Sequence, residues 1–285
     1  MKTTVQLISL LLLFTFFSSC QKEFSLGGGV PGDTSGYDPD AKRFIDASLI
    51  TESTQKNAVN NLVIQLKNSS LWSKFMAIYP MVGGAANTTK WNLKDPRDLD
   101  AAYRLTFSGA PVFAATGILF PTTSDYADTH LADSSIGGCT NASISYYSRT
   151  QNTISGYDMG CIDSLWPYNE MSIYSNSLDT SNSADNSEWF GFSENPLTAN
   201  TTGLFMLSST ATNVTRYRNG NSVGSRGSAP DNFYTNLSFL IGKSRATSRP
   251  GQKECALATV GNGLSDTEAL TFYNIVQNFE SELGR

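Results

Sequence analysis

Residues able to perform chemistry are few in this sequence, and histidine is the scarcest of them. The chain holds a single histidine, His130, which excludes the zinc motifs that need two or more imidazoles. Asp128 or Asp133 could complete a Ser-His-Asp triad with it, but no nucleophile elbow occurs in the sequence. A lone histidine on a strand is usually structural, so we do not expect catalysis by His130.

Paired catalytic carboxylates are also missing. Glucanases built on β-sandwiches carry two catalytic Glu flanking an Asp on one strand face, because alternate residues must reach the same glycosidic bond. No Glu-x-Asp-x-Glu or Glu-x-Asp-x-x-Glu string occurs here, and Glu188 and Glu194 are the nearest pair on a strand region. Asn195-Pro196 indicates that Glu194 already lies in a turn. We therefore expect no enzymatic activity, and a polysaccharide-active enzyme ranks third among the functions considered.

Three acidic residues form the only candidate metal site. Asp95, Asp98 and Asp100 lie within six residues and could supply oxygen ligands to Ca²⁺. The alternative is that Asp98 caps a turn before the next strand. We expect no cofactor otherwise.

Two alternating segments predict a β-hairpin. Residues 142–148 and 153–160 are separated by Arg149-Thr150-Gln151-Asn152, which is the spacing of two paired strands and their turn. In an antiparallel ladder centred on that turn, Cys139 falls opposite Cys161, and a disulfide there would close the open end of the hairpin. Cys255 then remains as a buried, inert thiol in an apolar strand.

The same hairpin register brings aromatic, amide and guanidinium groups to one face. Such a face offers a sugar or a peptide a flat apolar plate with hydrogen-bonding neighbours. Further aromatic residues beside loops are candidates on the same reasoning. The predicted ligand-binding residues are Tyr147, Tyr157, Arg149, Asn141, Trp166, Tyr168 and Trp189. The alternative is that this face packs beneath the N-terminal helix.

The N-terminus has the pattern of a secretion signal. Lys2 precedes an apolar run over residues 5–17 that is too short to span a bilayer comfortably. The run ends in Ser18-Ser19-Cys20, which resembles the lipobox of bacterial lipoproteins, and Gln21-Lys22-Glu23 resembles the surface-display signal of Bacteroidetes lipoproteins. The alternative is an ordinary secretory signal with an incidental cysteine. We expect Cys20 to be lipidated and the protein to lie on the bacterial outer membrane, facing outward.

Overall charge argues against one class of partner. The formal net charge is −5, and removing residues 1–19 takes away one lysine and brings it to about −6. An acidic protein of this kind is not expected to bind nucleic acid. The expected partners are carbohydrate or an extracellular protein, with the membrane reached only through the lipid anchor.

Short strands with helices at both ends are predicted to position these residues. Ala58, Val59, Leu62, Val63 and Leu66 fall on one helical face after a Thr51 cap. Near the other end, Ser265 and Glu268 form a capping box before a second amphipathic helix. The predicted strands are residues 102–107, 117–120, 126–131, 142–148, 153–160, 171–174, 188–192, 204–208, 214–217, 237–241 and 256–260. This series is typical of an all-β sandwich or jelly roll.

Several segments, in one order, resemble a group of uncharacterised phage virion and Bacteroidetes proteins. They are residues 71–74 (LWSK), 78–84 (IYPMVGG), 92–105 (NLKDPRDLDAAYRL), 126–129 (YADT), 146–149 (YYSR), 254–256 (ECA), 263–268 (GLSDTE) and 272–273 (FY). The resemblance covers residues 40–285 and implies a concanavalin A-like, laminin-G-like sandwich. It implies no particular activity, because this fold serves lectins, adhesion modules and glucanases alike.

These observations give one expected organisation. Residues 1–19 are a lipoprotein signal peptide, residues 20–38 a flexible tether, and residues 39–285 a β-sandwich with flanking helices. We expect non-catalytic binding of carbohydrate or another extracellular partner at the cell surface. The second hypothesis is a structural or assembly protein of phage-like origin that mediates protein contacts.

Overall fold

Among the described residues, four α-helices accompany a series of short strands. A computed structural model describes residues 36–136, 141–154, 156–162, 170–174, 189–192, 200–227, 236–244 and 250–285. Its helices are α1 (Pro39–Ser48), α2 (Ser53–Asn68), α3 (Ala86–Thr89) and α4 (Asp266–Glu282). Within these ranges no helix combines the length and the apolar character needed to cross a membrane.

The strands are short, as the sequence predicts. They are β1 (Phe75–Tyr79), β2 (Thr106–Ser108), β3 (Val112–Ala114), β4 (Gly117–Leu119), β5 (Tyr126–Ala132), β6 (Ala142–Ser148), β7 (Met159–Ile162), β8 (Glu170–Ile173), β9 (Trp189–Phe192), β10 (Gly203–Ser209), β11 (Asn213–Arg218), β12 (Asn221–Gly227), β13 (Ser238–Ile241) and β14 (Glu254–Gly261).

These strands form two sheets. The larger sheet has the order β12-β11-β10-β6-β14-β4-β3, and β1 pairs with β14 as well. The smaller sheet has the order β2-β5-β13-β7-β8-β9. The described pairings are antiparallel except for β8 with β9. The predicted all-β sandwich is therefore confirmed.

Alternating residues bury both faces of the larger sheet. In β10, Phe205 and Leu207 point into the core between the two sheets, whereas Leu204 and Met206 contact the helices outside. This is the two-residue period of a strand. The core between the sheets receives Phe239 and Ile241 of β13 from the opposite side. The larger sheet is consequently sandwiched between the smaller sheet and a helical layer.

The helical layer comes from both ends of the described chain. In α4 the predicted capping box is present, with Ser265 and Glu268 each bonding the other's backbone, and Phe272, Val276 and Phe279 bury one stripe. The helices α1 and α2 bury theirs in the same cluster. Amphipathic helices at both ends of the sandwich are thus confirmed.

The N-terminal part departs from the prediction in detail. Helix α2 begins at Ser53 after Glu52, not after a Thr51 cap. The apolar residues 75–79 after α2 form β1, which is not among the predicted strands. The predicted strand 102–107 is wrong for its first half, where residues 100–102 form a 3₁₀ turn and the strand begins at Thr106. Apolar residues in a tight turn and in a strand look alike over so short a segment.

Candidate functional site

The predicted hairpin across residues 149–152 does not form. Strand β6 pairs with β10 and β14 in the larger sheet, whereas β7 pairs with β13 and β8 in the smaller one. Between them the chain crosses from one sheet to the other. At that crossing the Asn152 N–H donates to Thr201 Oγ1 at 3.1 Å, and its amide donates to the Gln252 carbonyl at 2.9 Å. Consecutive strands are neighbours in roughly two-thirds of cases, and here they are not.

Tyr147 and Tyr157 therefore do not share a face. Tyr157 is buried in the smaller sheet's half of the molecule, with its ring 4.0 Å from that of Tyr174. Tyr147 is partly buried on the opposite side, where it packs against the cluster beneath α2 and α4. The prediction that the two rings form one binding plate is wrong. The alternative, in which this face of β6 packs under a helix, describes Tyr147 better.

The predicted disulfide between Cys139 and Cys161 depended on the hairpin register, and the hairpin does not form. Cys161 is buried in the core between the sheets, and Cys139 lies outside the described residues. Without a hairpin, nothing in the strand pairing places the two opposite each other, so their bridge remains a prediction. Cys255 is a buried free thiol, and burial raises its pKa well above the usual value, as expected for an inert position.

Tyr147 and Arg149 instead line a cleft between α4 and the point in the larger sheet where β6 ends and β10 begins. The cleft has a volume of about 330 Å³, within the usual range for ligand sites. Around the tyrosine ring it presents amides, hydroxyls and guanidinium groups. Its lining residues are Tyr147, Ser148, Arg149, Asn200, Thr202, Gly203, Asn219, Gln277 and Arg285. We refer to it as the Tyr147 cleft.

Strand register brings the cleft residues together. Ser148 lies opposite Gly203 in the pairing of β6 with β10. The turn that joins β11 to β12 folds back onto this point, where Asn219 Oδ1 accepts a hydrogen bond from Leu204 N–H at 2.9 Å. Gly203 has a φ of +104°, and a Cβ there would lie 2.4 Å from Asn219 Oδ1. Only glycine allows this close approach of the turn to the strand.

The two arginines that line the cleft, Arg149 and Arg285, each have an acidic neighbour outside the lining. The Arg285 and Glu280 side chains are 1% and 0% exposed and pair at 2.7 Å. Arg149 Nε lies 4.0 Å from Glu254 Oε1. Arg149 Nη1 and Glu254 Oε1 are buried and make no hydrogen bond with any described residue. Two positive and two negative charges nearly balance, so the cleft presents hydrogen-bonding groups more than net charge.

The Tyr147 hydroxyl is a hydrogen-bond donor at neutral pH. Burial raises its pKa, and the nearby Glu280 carboxylate raises that pKa further. The phenol therefore remains protonated and can donate to an acceptor in the cleft. Among the lining residues that the structure describes, its ring supplies the only aromatic surface.

Other predicted ligand residues lie elsewhere. Asn141 precedes β6 at the end opposite the cleft, where its Oδ1 accepts from Gly263 N–H at 3.0 Å. Trp189 belongs to β9 in the smaller sheet. Trp166, Tyr168 and the predicted lipidation site Cys20 lie outside the described residues. Of the predicted residues that the structure describes, it brings only Tyr147 and Arg149 together.

The three predicted calcium ligands are engaged by basic side chains. Asp95 pairs with Arg97, and this bond lowers the pKa of Asp95. Asp98 lies between Lys90 at 2.7 Å and Arg104 at 2.8 Å. Asp100 pairs with Arg104 at 3.0 Å. Over the described ranges, no group of three or more His, Cys, Asp or Glu side chains is arranged to hold a metal ion.

Sequence reasoning missed most of the cleft. Thr202 and Gln277 carried no local signal, since one precedes a strand and the other lies on the polar side of a helix. Arg218-Asn219-Gly220-Asn221 predicts a tight turn, because Asn-Gly accepts positive φ, and positive φ at Asn219 and Gly220 confirms that turn. Its proximity to Tyr147 depends on the pairing of β10 with both neighbours, which the sequence does not reveal.

The buried Glu280 makes stability depend on pH. Burial raises its pKa, so between the ordinary Glu value of about 4.3 and the raised value the folded state holds a proton that the unfolded state has released. Stability contributed by Glu280 therefore falls as pH increases through that window. In urea unfolding measured across pH 4 to 8, we expect the Glu280→Gln variant to lack this decrease in the free energy of unfolding with rising pH. If the free energies of unfolding of the parent and of Glu280→Gln differed by the same amount at every pH, this prediction would be contradicted.

Comparison with known proteins gives structural neighbours alone. No protein-family model and no curated protein matches the chain. Domain 4 of an extracellular arabinanase from Geobacillus stearothermophilus, solved with arabinotriose, is 15% identical with a TM-score of 0.46, covering 70% of this chain and 98% of that one. The binding domain of Paraclostridial Mosquitocidal Protein 1 is 12% identical with a TM-score of 0.44, covering 71% and 52%. Trypanosoma rangeli sialidase with sialic acid is 8% identical with a TM-score of 0.41, covering 69% and 32%.

Proposed function

We propose that this chain is a surface-exposed bacterial lipoprotein whose concanavalin A-like β-sandwich binds carbohydrate in the Tyr147 cleft without chemical conversion. The observation that carries the proposal is the lining of that cleft. One partly buried tyrosine ring is surrounded by three carboxamides, two hydroxyls and two guanidinium groups. Sugars require this combination, since each hydroxyl both donates and accepts hydrogen bonds while the carbon faces of the ring need an apolar neighbour.

Binding without catalysis is supported by what the lining offers chemically. Glycoside hydrolysis ordinarily uses two carboxyl groups that flank the bond. Among the described residues that line the Tyr147 cleft there is no Asp or Glu. Glu254 and Glu280 lie beneath it, and Glu280 is held by Arg285. Amides and hydroxyls can orient a sugar but cannot serve as the acid and base of its hydrolysis.

The sequence supports placement at the cell surface. Ser18-Ser19-Cys20 follows an apolar run of signal-peptide length, and a Gly-rich segment at residues 27–29 separates Cys20 from α1. A tether of this composition would let a lipid-anchored domain extend away from the membrane. Metabolic labelling with a palmitate analogue tests this part separately, and Cys20→Ser is expected to abolish the label.

Arg149→Met tests the cleft. The variant keeps most of the side-chain length but removes donors whose hydrogen bonds to a ligand contribute about 1.5 to 3 kcal/mol. We expect roughly 10- to 100-fold weaker binding of the best oligosaccharide found on a glycan array, measured by isothermal titration calorimetry, with little change in thermal unfolding. Arg97→Met is the matched control, because Arg97 is exposed and lies outside the cleft.

Two outcomes would count against the proposal. The first is a purified protein that binds no member of the array. The second is sugar binding that Arg149→Met and Tyr147→Phe leave unchanged, which would place the ligand elsewhere on the molecule.

A further inference from the structure

The single histidine lies on a bulge in β5. Ser238 of β13 pairs with Ala132, but Leu240 pairs with Asp128, so β5 contains two more residues than β13 over this stretch. His130 is at the centre of the extra segment and has a φ of +54°. Thr129 Oγ1 donates to the Phe239 carbonyl at 2.8 Å, so the side chain fills a place left open in the ladder. Bulges of this kind re-aim side chains.

The bulge directs the imidazole toward the outer face of the smaller sheet. His130 Nε2 lies 2.8 Å from Thr106 Oγ1 and 3.6 Å from Asp100 Oδ1. The other ring nitrogen, Nδ1, makes no hydrogen bond with any described residue. The imidazole side chain is 26% exposed. The ring is thus fixed at one nitrogen and offers the other to a ligand.

A cleft of about 460 Å³ adjoins this ring, which we call the His130 cleft. Asn236 borders it and also has a positive φ, +52°. The Asn236 N–H is held by Asp133 Oδ1 at 3.0 Å, whereas its side-chain amide has no partner in the described chain. Asp100 contributes a carboxylate that is 58% exposed, and Leu237 contributes apolar surface.

Two of the eight described non-glycine residues with positive φ, His130 and Asn236, border the His130 cleft. Positive φ is uncommon for residues other than glycine, and strained positions cluster at ligand sites. Glycine would satisfy the bulge at His130 without steric cost. The sequence has an imidazole there instead, beside Asn236, whose φ is also positive and whose side-chain amide has no partner among the described residues. This pairing favours a role in binding over a role in the fold alone.

We propose that the His130 cleft is a second carbohydrate site, on the opposite side of the sandwich from the Tyr147 cleft, that takes an uncharged sugar. His130 Nδ1, the Asn236 amide and the Asp100 carboxylate bind its hydroxyl groups, and Leu237 contacts a carbon face. Arg104 engages Oδ1 of that carboxylate and balances its charge, so Oδ2 accepts from a sugar hydroxyl at a rim that suits an uncharged ligand. The inference shares with the proposed function only the class of ligand, and the two clefts together would make the domain bivalent.

The lone histidine permits a direct test on the unaltered protein. Its ring gives one Cε1–H signal in a ¹H–¹³C correlation spectrum of the full chain. Titration with cellotriose, maltotriose, arabinotriose and chitotriose is expected to shift that signal saturably with one of them. The same sugar is expected to slow acylation of His130 by diethyl pyrocarbonate at least tenfold. A signal and a reactivity that none of the four sugars changes would overturn the proposal.

Variants separate the two clefts. His130→Gly accepts the positive φ, so it is expected to unfold at the same temperature as the parent or above, and to bind one sugar molecule where the parent binds two. Arg149→Met is expected to retain the site that His130→Gly removes. Loss of binding in Arg149→Met alone, with His130→Gly unaffected, would refute the second site and keep the first. The reverse result would refute the Tyr147 cleft and keep the second site.

Discussion

Arg285→Ala is expected to lower the free energy of unfolding by about 3 to 5 kcal/mol, the range found when one partner of a buried ion pair is removed. The guanidinium pairs with Glu280 at 2.7 Å, and both side chains are almost fully buried. It also donates to backbone carbonyls of three segments. These acceptors are the carbonyls of Pro80, Met81, Ala115 and Ala256. Alanine would leave Glu280 and several carbonyls buried without a donor. Urea unfolding at pH 7 measures the loss.

The matched control is Arg97→Ala, whose side chain is 64% exposed and pairs only with Asp95. An exposed pair contributes about 0 to 1 kcal/mol, so this variant should remain close to the parent. The cost of Arg285→Ala should also decrease toward acid pH, because protonation of Glu280 removes the uncompensated charge. Equal losses in the two variants would show that the buried pair contributes no more than a surface one.

The parts of the fold that local chemistry determines were predictable. The capping box at Ser265 and Glu268 sets the start of α4, and Asn219-Gly220 sets the β11–β12 turn. Both depend on residues within four positions of each other, where geometry follows from side-chain and backbone preferences. Alternation likewise located β6, β10 and β14 to within one or two residues at their ends.

Strand partners were not predictable, and the candidate site follows from them. The sequence indicates that β6 is a strand but not that its neighbours are β10 and β14. Arg149 therefore looked like a turn residue and Gln277 like a solvated helical one. Only the observed pairing brings them to one cleft with Tyr147. Pairing depends on contacts between distant segments, which a local pattern does not contain.

The sequence also did not reveal which charged side chains are buried. Lys253 follows Lys243, Arg245 and Arg249 in a segment whose basic residues are typical of a solvated loop, yet it is buried and lies 3.3 Å from Asp158 Oδ1. Its ammonium group also donates to the Gly251 carbonyl at 3.2 Å. Charged residues are almost never fully buried unless they are paired. A partner 95 residues away cannot be recognised from composition.

Phe272→Ala is expected to cost about 3 to 5 kcal/mol, because truncating a fully buried aromatic residue removes apolar burial and leaves a cavity. Phe272 of α4 is 0% exposed, and its ring centroid lies 4.8 Å from that of Phe75 in β1. The substitution therefore weakens the contact between the helical layer and the larger sheet. Loss of near-ultraviolet circular dichroism with rising urea gives the change in the free energy of unfolding.

Leu270→Ala on the same helix is the comparison that isolates burial. Leu270 is 45% exposed, so its truncation should cost about 1 kcal/mol or less, since only part of its apolar surface is withdrawn from water. A small change in the free energy of unfolding at both positions would show that packing of α4 on the larger sheet contributes little to stability. Because Gln277 lies on α4 and lines the Tyr147 cleft, a helix that detaches in Phe272→Ala should also weaken sugar binding there. Binding in the His130 cleft, which the smaller sheet forms, should remain.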